Sequence, residues 1–288
     1  MAEKKKKKEL KESESQWYTS PTNIPAYNYK VYYMSILEKI LYFLLAFIVG
    51  AAVGYLFYGG IGKDEYGDPT TLTKVLNIMI PGIVGAIAGK LFVPVRNQQI
   101  IDKNRHKLNS QFRDMLEALT TSIGAGKNVR DSFKSVYDDL KVQYDEDAFI
   151  LKELEIILDG MNNNVDVEEL LMDFGIRSGN DDIYSFANVF KISYRKGGNI
   201  KDTIRTTHEI LNDKMEINED IETIVTSNKT EQNIMILMPI ALIAMIKMMS
   251  ADFAANFVTP VGIISTTVAV IMFVAAYFIG RAILDIKV

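Results

Sequence analysis

The stretch Gly124-Ala125-Gly126-Lys127 is the nearest approach in this chain to a phosphate-binding loop. In such a loop, backbone N–H groups and a lysine cradle the phosphates of a nucleotide. The pattern needs a glycine five residues before the second glycine, where this chain has Thr121, and a Ser or Thr after the lysine, where it has Asn128. No strand-like run precedes it, so nucleotide binding there is excluded. The two histidines, His106 and His208, stand alone, and His208 falls on an apolar helical face where a packed imidazole is expected rather than a ligand. The chain has no cysteine, which removes disulfides, thiolate metal sites and a cysteine nucleophile. The acidic groups Asp138-Asp139, Asp145-Glu146-Asp147 and Glu168-Glu169 fall near helix ends. They read as solvated, dipole-complementing faces, or together as a surface for a basic partner. No catalytic constellation, cofactor site or metal site is expected, and the chain does not read as an enzyme.

The surrounding elements explain why so little chemistry is visible. Four apolar segments, about Ile40–Ile61, Val75–Val95, from near Ile234, and Val261–Gly280, each approach the length a helix needs to cross a bilayer. In hydrocarbon the backbone must satisfy its own hydrogen bonds, so these are helices. The expected organisation is a disordered basic arm over 1–36, two transmembrane helices over 37–95, a helical domain over 96–233, and two further spans with a short tail over 234–288. The arm is polar and aperiodic. Its Lys4–Lys8 run reads either as a solvated tail that orients the first span or as a contact for anionic lipid.

Lysine and arginine set the orientation. Lys4 to Lys8, Lys11, Lys30 and Lys39 precede or open the first span, whereas the loop from Ala251 to Pro260 has no Lys or Arg. Positive charge stays inside, so both termini and the central domain are expected in the cytoplasm, with the chain in the plasma (inner) membrane. Arg96 to Glu231 holds 26 acidic against 18 basic residues by count. An acidic domain lacks the basic footprint that nucleic acid requires.

Within the spans, Gly50/Gly54, Gly85/Gly89 and Ala276/Gly280 are small-residue steps that let helices approach closely, either within one chain or between copies. Lys247 lies well inside the third span. It reads as snorkelling to the far interface or as a functional intramembrane contact.

The central domain reads as about six helices without sheet. Leu108, Phe112, Met115, Leu116, Leu119 and Ile123 recur at steps of three and four, as do four later sets, including Phe186, Phe190 and Tyr194. Gly126, Gly160 and Gly197-Gly198 each follow such a stretch, where a helix end wants a positive φ. Asn128, Asp166 and Asn199 follow as expected N-caps, Asp166 with Glu169 as a capping box. The first and last of these corners echo each other: Gly126-Lys127-Asn128-Val129-Arg130-Asp131-Ser132-Phe133 against Gly197-Gly198-Asn199-Ile200-Lys201-Asp202-Thr203-Ile204. Either two ordinary helical joints or a duplicated hairpin would give this echo.

Four short motifs in order resemble the type II secretion F family. They are Gln111-Phe112-Arg113-Asp114-Met115-Leu116 running to Ala125-Gly126-Lys127-Asn128, then Glu168-Glu169-Leu170-Leu171 with Arg177, then Gly197-Gly198-Asn199-Ile200, and Pro239 opening the third span. The family's proline in the first motif is absent, and its serine cap is Asn128. A single such domain between paired spans is similar to the tight-adherence (Tad, Flp-type) pilus platform branch, TadB/TadC-like. The resemblance implies a platform protein without activity of its own, which rests on a cytoplasmic secretion ATPase and guides pilin subunits from the bilayer. It would work with a second platform protein of the same family, as a homo- or hetero-oligomer in membrane lipid. Asp138, Asp139, Glu168 and Glu169 are the expected ATPase-docking carboxylates. A transporter subunit and a membrane-anchored signalling or scaffold protein are the rival readings.

Overall fold

A computed structural model describes residues 15–62, 68–195 and 200–284. The elements are β1 (Trp17–Thr19), β2 (Pro25–Tyr27), α1 (Ile36–Tyr58), α2 (Thr71–Gly124), α3 (Val129–Gln143), α4 (Phe149–Asn162), α5 (Val167–Ser178), α6 (Asp181–Arg195), α7 (Ile200–Met249), α8 (Ala251–Asn256) and α9 (Pro260–Leu284). Apart from one small hairpin the described protein is all-α. Four helices are long and apolar enough to cross a membrane: α1, the apolar part of α2, the apolar part of α7, and α9 over Pro260–Gly280. The protein is a multi-pass membrane protein.

The described residues form two compact units. One holds the residues up to Tyr33 and those from Asn97 to Glu216; the other holds Met34–Arg96 and Ile217 onward. The borders at Arg96 and Glu216 fall inside α2 and α7, so hydropathy changes along continuous helices and no loop marks the transition.

In the membrane unit the glycine steps of α1 and α2 lock into each other. A Cβ on Gly50 would lie 2.7 Å from the Ala88 Cβ and 3.1 Å from the Gly85 Cα, and one on Gly85 would lie 2.7 Å from the Phe47 carbonyl oxygen. Gly54 sits against Pro81 and Val84, and Gly89 against the Phe43 ring. Both steps therefore serve packing inside the chain. Lipid tails give no hydrophobic drive for helix association, so close van der Waals approach must hold this pair. Leu41, Leu44 and Ile48 stay on the exposed face of α1. Gly280 of α9 is likewise used internally, against the Gln232 side chain of α7.

The other unit has one core. Leu108, Phe112 and Leu116 of α2, Phe133 and Val136 of α3, Ile150 and Leu154 of α4, Phe174 of α5, Phe186 and Phe190 of α6, and Ile204 and Leu211 of α7 are all buried in it. These are the periodic apolar positions. Tyr194 departs from the pattern: it stacks on Phe190 with ring centroids 5.6 Å apart but is exposed, because α6 ends one residue later. The pair α3 and α4 runs antiparallel, since Arg130 Nη2 donates to Asn162 Oδ1 at 2.6 Å and Tyr137 Oη donates to Glu155 Oε1 at 2.7 Å.

The expectation of a disordered arm over 1–36 fails from Ser15 on. β1 and β2 pair antiparallel with Trp17 opposite Tyr27 and Tyr18 opposite Ala26. Asn23 takes φ +63° in the turn, a left-handed conformation that asparagine tolerates. Strands of three residues are too short for an alternating signal, so the hairpin was not legible. β2 and the segment that follows it are packed: Ala26, Asn28, Tyr29, Val31 and Met34 are buried. It leads into α1, whose first turn is capped by Ser35 N–H donating to Glu38 Oε2 at 2.9 Å.

The interlocked glycines give a direct test. Gly85→Val should force α1 away from α2 and cost about 1–3 kcal/mol through overpacking. Thermal unfolding of the detergent-solubilised chain should shift down, while Gly82→Val, where nothing lies within 4 Å of a Cβ, should leave it nearly unchanged.

Candidate functional site

The most organised polar site of the described chain is a buried ion-pair network that sequence reasoning missed. Glu153 lies on α4 among Ile150, Leu151, Leu154 and Ile157, and Arg177 lies in the last turn of α5. Both are almost fully buried, at 1% and 2% exposure. Arg177 Nη1 and Nη2 donate to Glu153 Oε1 and Oε2 at 2.8 and 2.7 Å, and Nε donates to Asp173 Oδ2 at 2.7 Å. This is a bidentate fork, the geometry that makes a desolvated pair tolerable.

The network holds the N-terminal strap, residues 15–35. Arg177 Nη1 also donates to the Tyr27 carbonyl at 3.0 Å, Tyr29 N–H donates to the Arg177 carbonyl at 3.0 Å, and Tyr29 Oη donates to Glu153 Oε1 at 3.0 Å. Arg105 of α2 donates through Nε to the Tyr29 carbonyl at 3.2 Å. Burial first, and the Glu153 charge second, push the Tyr29 hydroxyl well above the usual tyrosine range. Burial alone would lower the Arg177 guanidinium, but the hydrogen bonds and charge of Glu153, with Asp173, outweigh it and raise it. Beside the network an aromatic cleft of about 490 Å³ opens between the hairpin and α4, lined by Trp17, Tyr27, Tyr32, Phe149 and Glu155 among others.

The sequence offered one signal for this site: a glutamate inside the apolar stripe of α4. Arg177 entered only through the family resemblance. The third participant, Tyr29, lies in the segment that composition assigned to disorder.

The predicted corner residues divide. Gly126 has φ +87° with open space around a would-be Cβ, so glycine is needed there for the backbone alone. Asn128 caps α3, with Oδ1 accepting from Asp131 N–H at 2.8 Å. Gly160 is a correction. It lies inside α4, buried, where a Cβ would meet the Leu170 side chain within 2.6 Å, so its glycine serves a close approach of α5. The turn comes later, with Asn164 at φ +59°. Asp166 does open α5, but its side chain makes no capping bond, so the expected box with Glu169 is absent. Gly197, Gly198 and Asn199 lie outside the described residues. Pro239 stands inside continuous α7, not at a helix start.

The four candidate docking carboxylates are not equivalent. Asp138, Asp139 and Glu169 are exposed. Glu168 is 5% exposed and accepts from Arg195 Nε of α6 at 3.1 Å. It is a packing group tying α5 to α6, withdrawn from any partner, because the helix start turns it toward α6. Asp138 and Asp139 lie on α3 just past the level at which Tyr137 meets Glu155, whereas Glu169 lies at the other end of α4, beside Leu170 and Gly160.

Lys247 lies in the last turn of α7. Its Nζ donates to the Leu56 carbonyl at 2.6 Å and stands 4.2 Å from the centroid of the Phe257 ring. Leu56 is in the last turn of α1, where carbonyls lack an intrahelical partner and the dipole favours a cation. Lys247 thus caps one transmembrane helix from another. Among the described residues no group of three or more His, Asp or Glu side chains is arranged to hold a metal ion.

Comparison with protein-family models, curated proteins and solved structures gives no match to this chain. The site must therefore be read from its own geometry.

Two outcomes follow from the buried pair. Arg177→Met strands the Glu153 carboxylate and should cost about 3–5 kcal/mol, whereas the paired change Glu153→Met with Arg177→Met should cost much less. Chemical unfolding monitored by helical circular dichroism, with protease sensitivity of the strap, would measure both. Tyr29 gives a pH dependence. Its folded pKa is raised, so its contribution is complete below about pH 10, the unfolded value, and is lost as pH rises through the folded value. Tyr29→Phe should flatten the decline in stability above about pH 10 relative to the wild-type chain.

Proposed function

We propose that this protein is a membrane platform of a Tad-like or type II secretion-like machine, which couples a cytoplasmic secretion ATPase to the extraction and assembly of pilin subunits. The observation that carries this reading is the order of four short sequence motifs, three in the segment between the two pairs of spans and the fourth, Pro239, in the third span. The charge distribution supports an orientation with both termini and the helical unit in the cytoplasm. The interlocked α1–α2 pair and the Lys247 cap support a membrane part built for rigid packing. Asp138, Asp139 and Glu169 are the carboxylates left for an ATPase; Glu168 is not among them. A second platform protein and pilin subunits are the further partners of this reading.

The experiment is association of the purified chain with a secretion ATPase from the same organism. Reversing Asp138, Asp139 and Glu169 to Lys should weaken binding about tenfold at low salt, at roughly 0.5 kcal/mol per exposed charge, and much less at high salt. Unchanged affinity and salt slope would remove these residues from the interface. A reporter fused at Asn163 should give a cytoplasmic signal, and an external one would end the platform reading.

A further inference from the structure

We propose that the membrane unit holds a phospholipid acyl chain as a fixed part of its structure, in an apolar cleft between α1, α7 and α9. The inference rests on the membrane-spanning character of these helices and not on the platform function.

The cleft lies wholly within the membrane unit. Val53 and Phe57 of α1, Ile240 and Ile243 of α7, and Val270 and Phe273 of α9 are among its lining residues, and its volume is about 250 Å³. Tyr277 is the only lining residue with a polar side chain. Val53, Phe57, Ile240, Ile243 and Val270 are only half-buried, so the three helices meet here without covering one another's side chains. The contact of α1 with α2 is different, because there the glycine steps bring backbone against backbone.

Polar ties at the two ends set the width of the cleft. At one end Gln232 Nε2 donates to the Tyr277 carbonyl at 3.3 Å and joins α7 to α9. At the other, Lys247 Nζ donates to the Leu56 carbonyl at 2.6 Å and joins α7 to α1. Beside it the hydroxyls of Tyr58 and Thr267 stand 3.1 Å apart and join α1 to α9. Hydrocarbon offers no water to replace a broken hydrogen bond, so these ties resist loosening. Held at both ends, the three helices cannot tilt together and close the space between them.

The lining decides what fills that space. Side chains that face a gap forfeit van der Waals contacts, so a filler that fits is favoured. Water does not fit: it needs two or more polar partners, and an apolar cavity of roughly 150 Å³ stays dry yet takes up benzene. This cleft is larger, and it is open along α9, where Phe273, Val274 and Tyr277 are 43%, 49% and 40% exposed. All three helices belong to the membrane spans, so the medium at that opening is lipid hydrocarbon. An aliphatic chain entering sideways meets isoleucine, valine and phenylalanine and strands no polar group. Lipid on the outer faces exchanges freely, whereas a chain lodged between tied helices stays with the protein and adds to its stability.

The test uses the full chain, purified in a mild detergent from phosphatidylcholine vesicles and washed until the lipid of the outer faces has exchanged. Native mass spectrometry should show one phospholipid retained per chain. Ala269→Phe puts a ring into the cleft and should abolish the retention. Ile271→Phe, on α9 but outside the lining and 62% exposed, should leave it intact. Melting followed by circular dichroism gives a second readout. Added phosphatidylcholine should raise the Tm of the washed wild-type chain, since a ligand bound only by the folded state stabilises it by mass action, and should leave that of Ala269→Phe unchanged. Without added lipid, Ala269→Phe should melt no lower than the wild-type chain, because its ring occupies space that is already there. A clearly lower Tm would show overpacking, and so no room for an acyl chain, and would overturn the proposal. A wild-type chain that retains no phospholipid overturns it too, as does equal retention in the two variants. A lipid-free mass of two chains would give the cleft to a second copy instead.

Discussion

The buried pair of Glu153 and Arg177 is the constraint around which the helical unit is arranged. Taking two charges out of water costs several kcal/mol per ion, and only complete hydrogen bonding offsets that. Here Glu153 receives two guanidinium bonds and the Tyr29 hydroxyl, and Arg177 spends its remaining donors on Asp173 and the Tyr27 carbonyl. The satisfaction of the pair therefore requires three stretches of chain at once: the strap, α4 and α5. A core of apolar side chains alone would accept many alternative arrangements; a buried fork accepts very few. That selectivity explains how a short, polar, mostly irregular segment is fixed on a bundle that otherwise packs by helix faces.

The helices were legible because burial imposes a 3.6-residue period on them. Phe112, Leu116, Phe133, Leu154, Phe186 and Ile204 appear in the core where the spacing put them. The membrane spans were legible because hydrocarbon leaves a chain no other solution than a helix. What stayed hidden depended on contacts distant in sequence. Tyr29 becomes a core residue only because Glu153 and Arg177 meet it, and no local pattern announces that. Gly160 looked like a helix end because glycine serves helix ends, but it equally serves a close helix approach, and only the position of Leu170 decides between them. Glu168 looked solvated because most glutamates are; its burial follows from the packing of α6 on α5 and the presence of Arg195.

The same lesson holds in the membrane unit. Gly50/Gly54 and Gly85/Gly89 share one chemistry with oligomer-forming helices, and the sequence could not choose between partners. The structure sets the two steps against each other, so the small-residue faces are already occupied. Lys247 was open between an interface and a contact; its geometry is that of a helix cap, with the Leu56 carbonyl and the Phe257 ring as partners. An expensive charge and an unsatisfied helix end thus offset each other.

The discontinuity of the helical unit has a consequence for biosynthesis. Tyr29 and Arg177 are 148 residues apart, 177 less 29. At about 5–20 residues per second, the strap leaves the ribosome roughly 7 to 30 seconds before its arginine partner exists. During that interval the first two spans are also made. The strap must wait through their insertion with its tyrosines uncovered, so the order of synthesis runs against the order of assembly, and whatever shelters those aromatic side chains meanwhile takes part in making this protein.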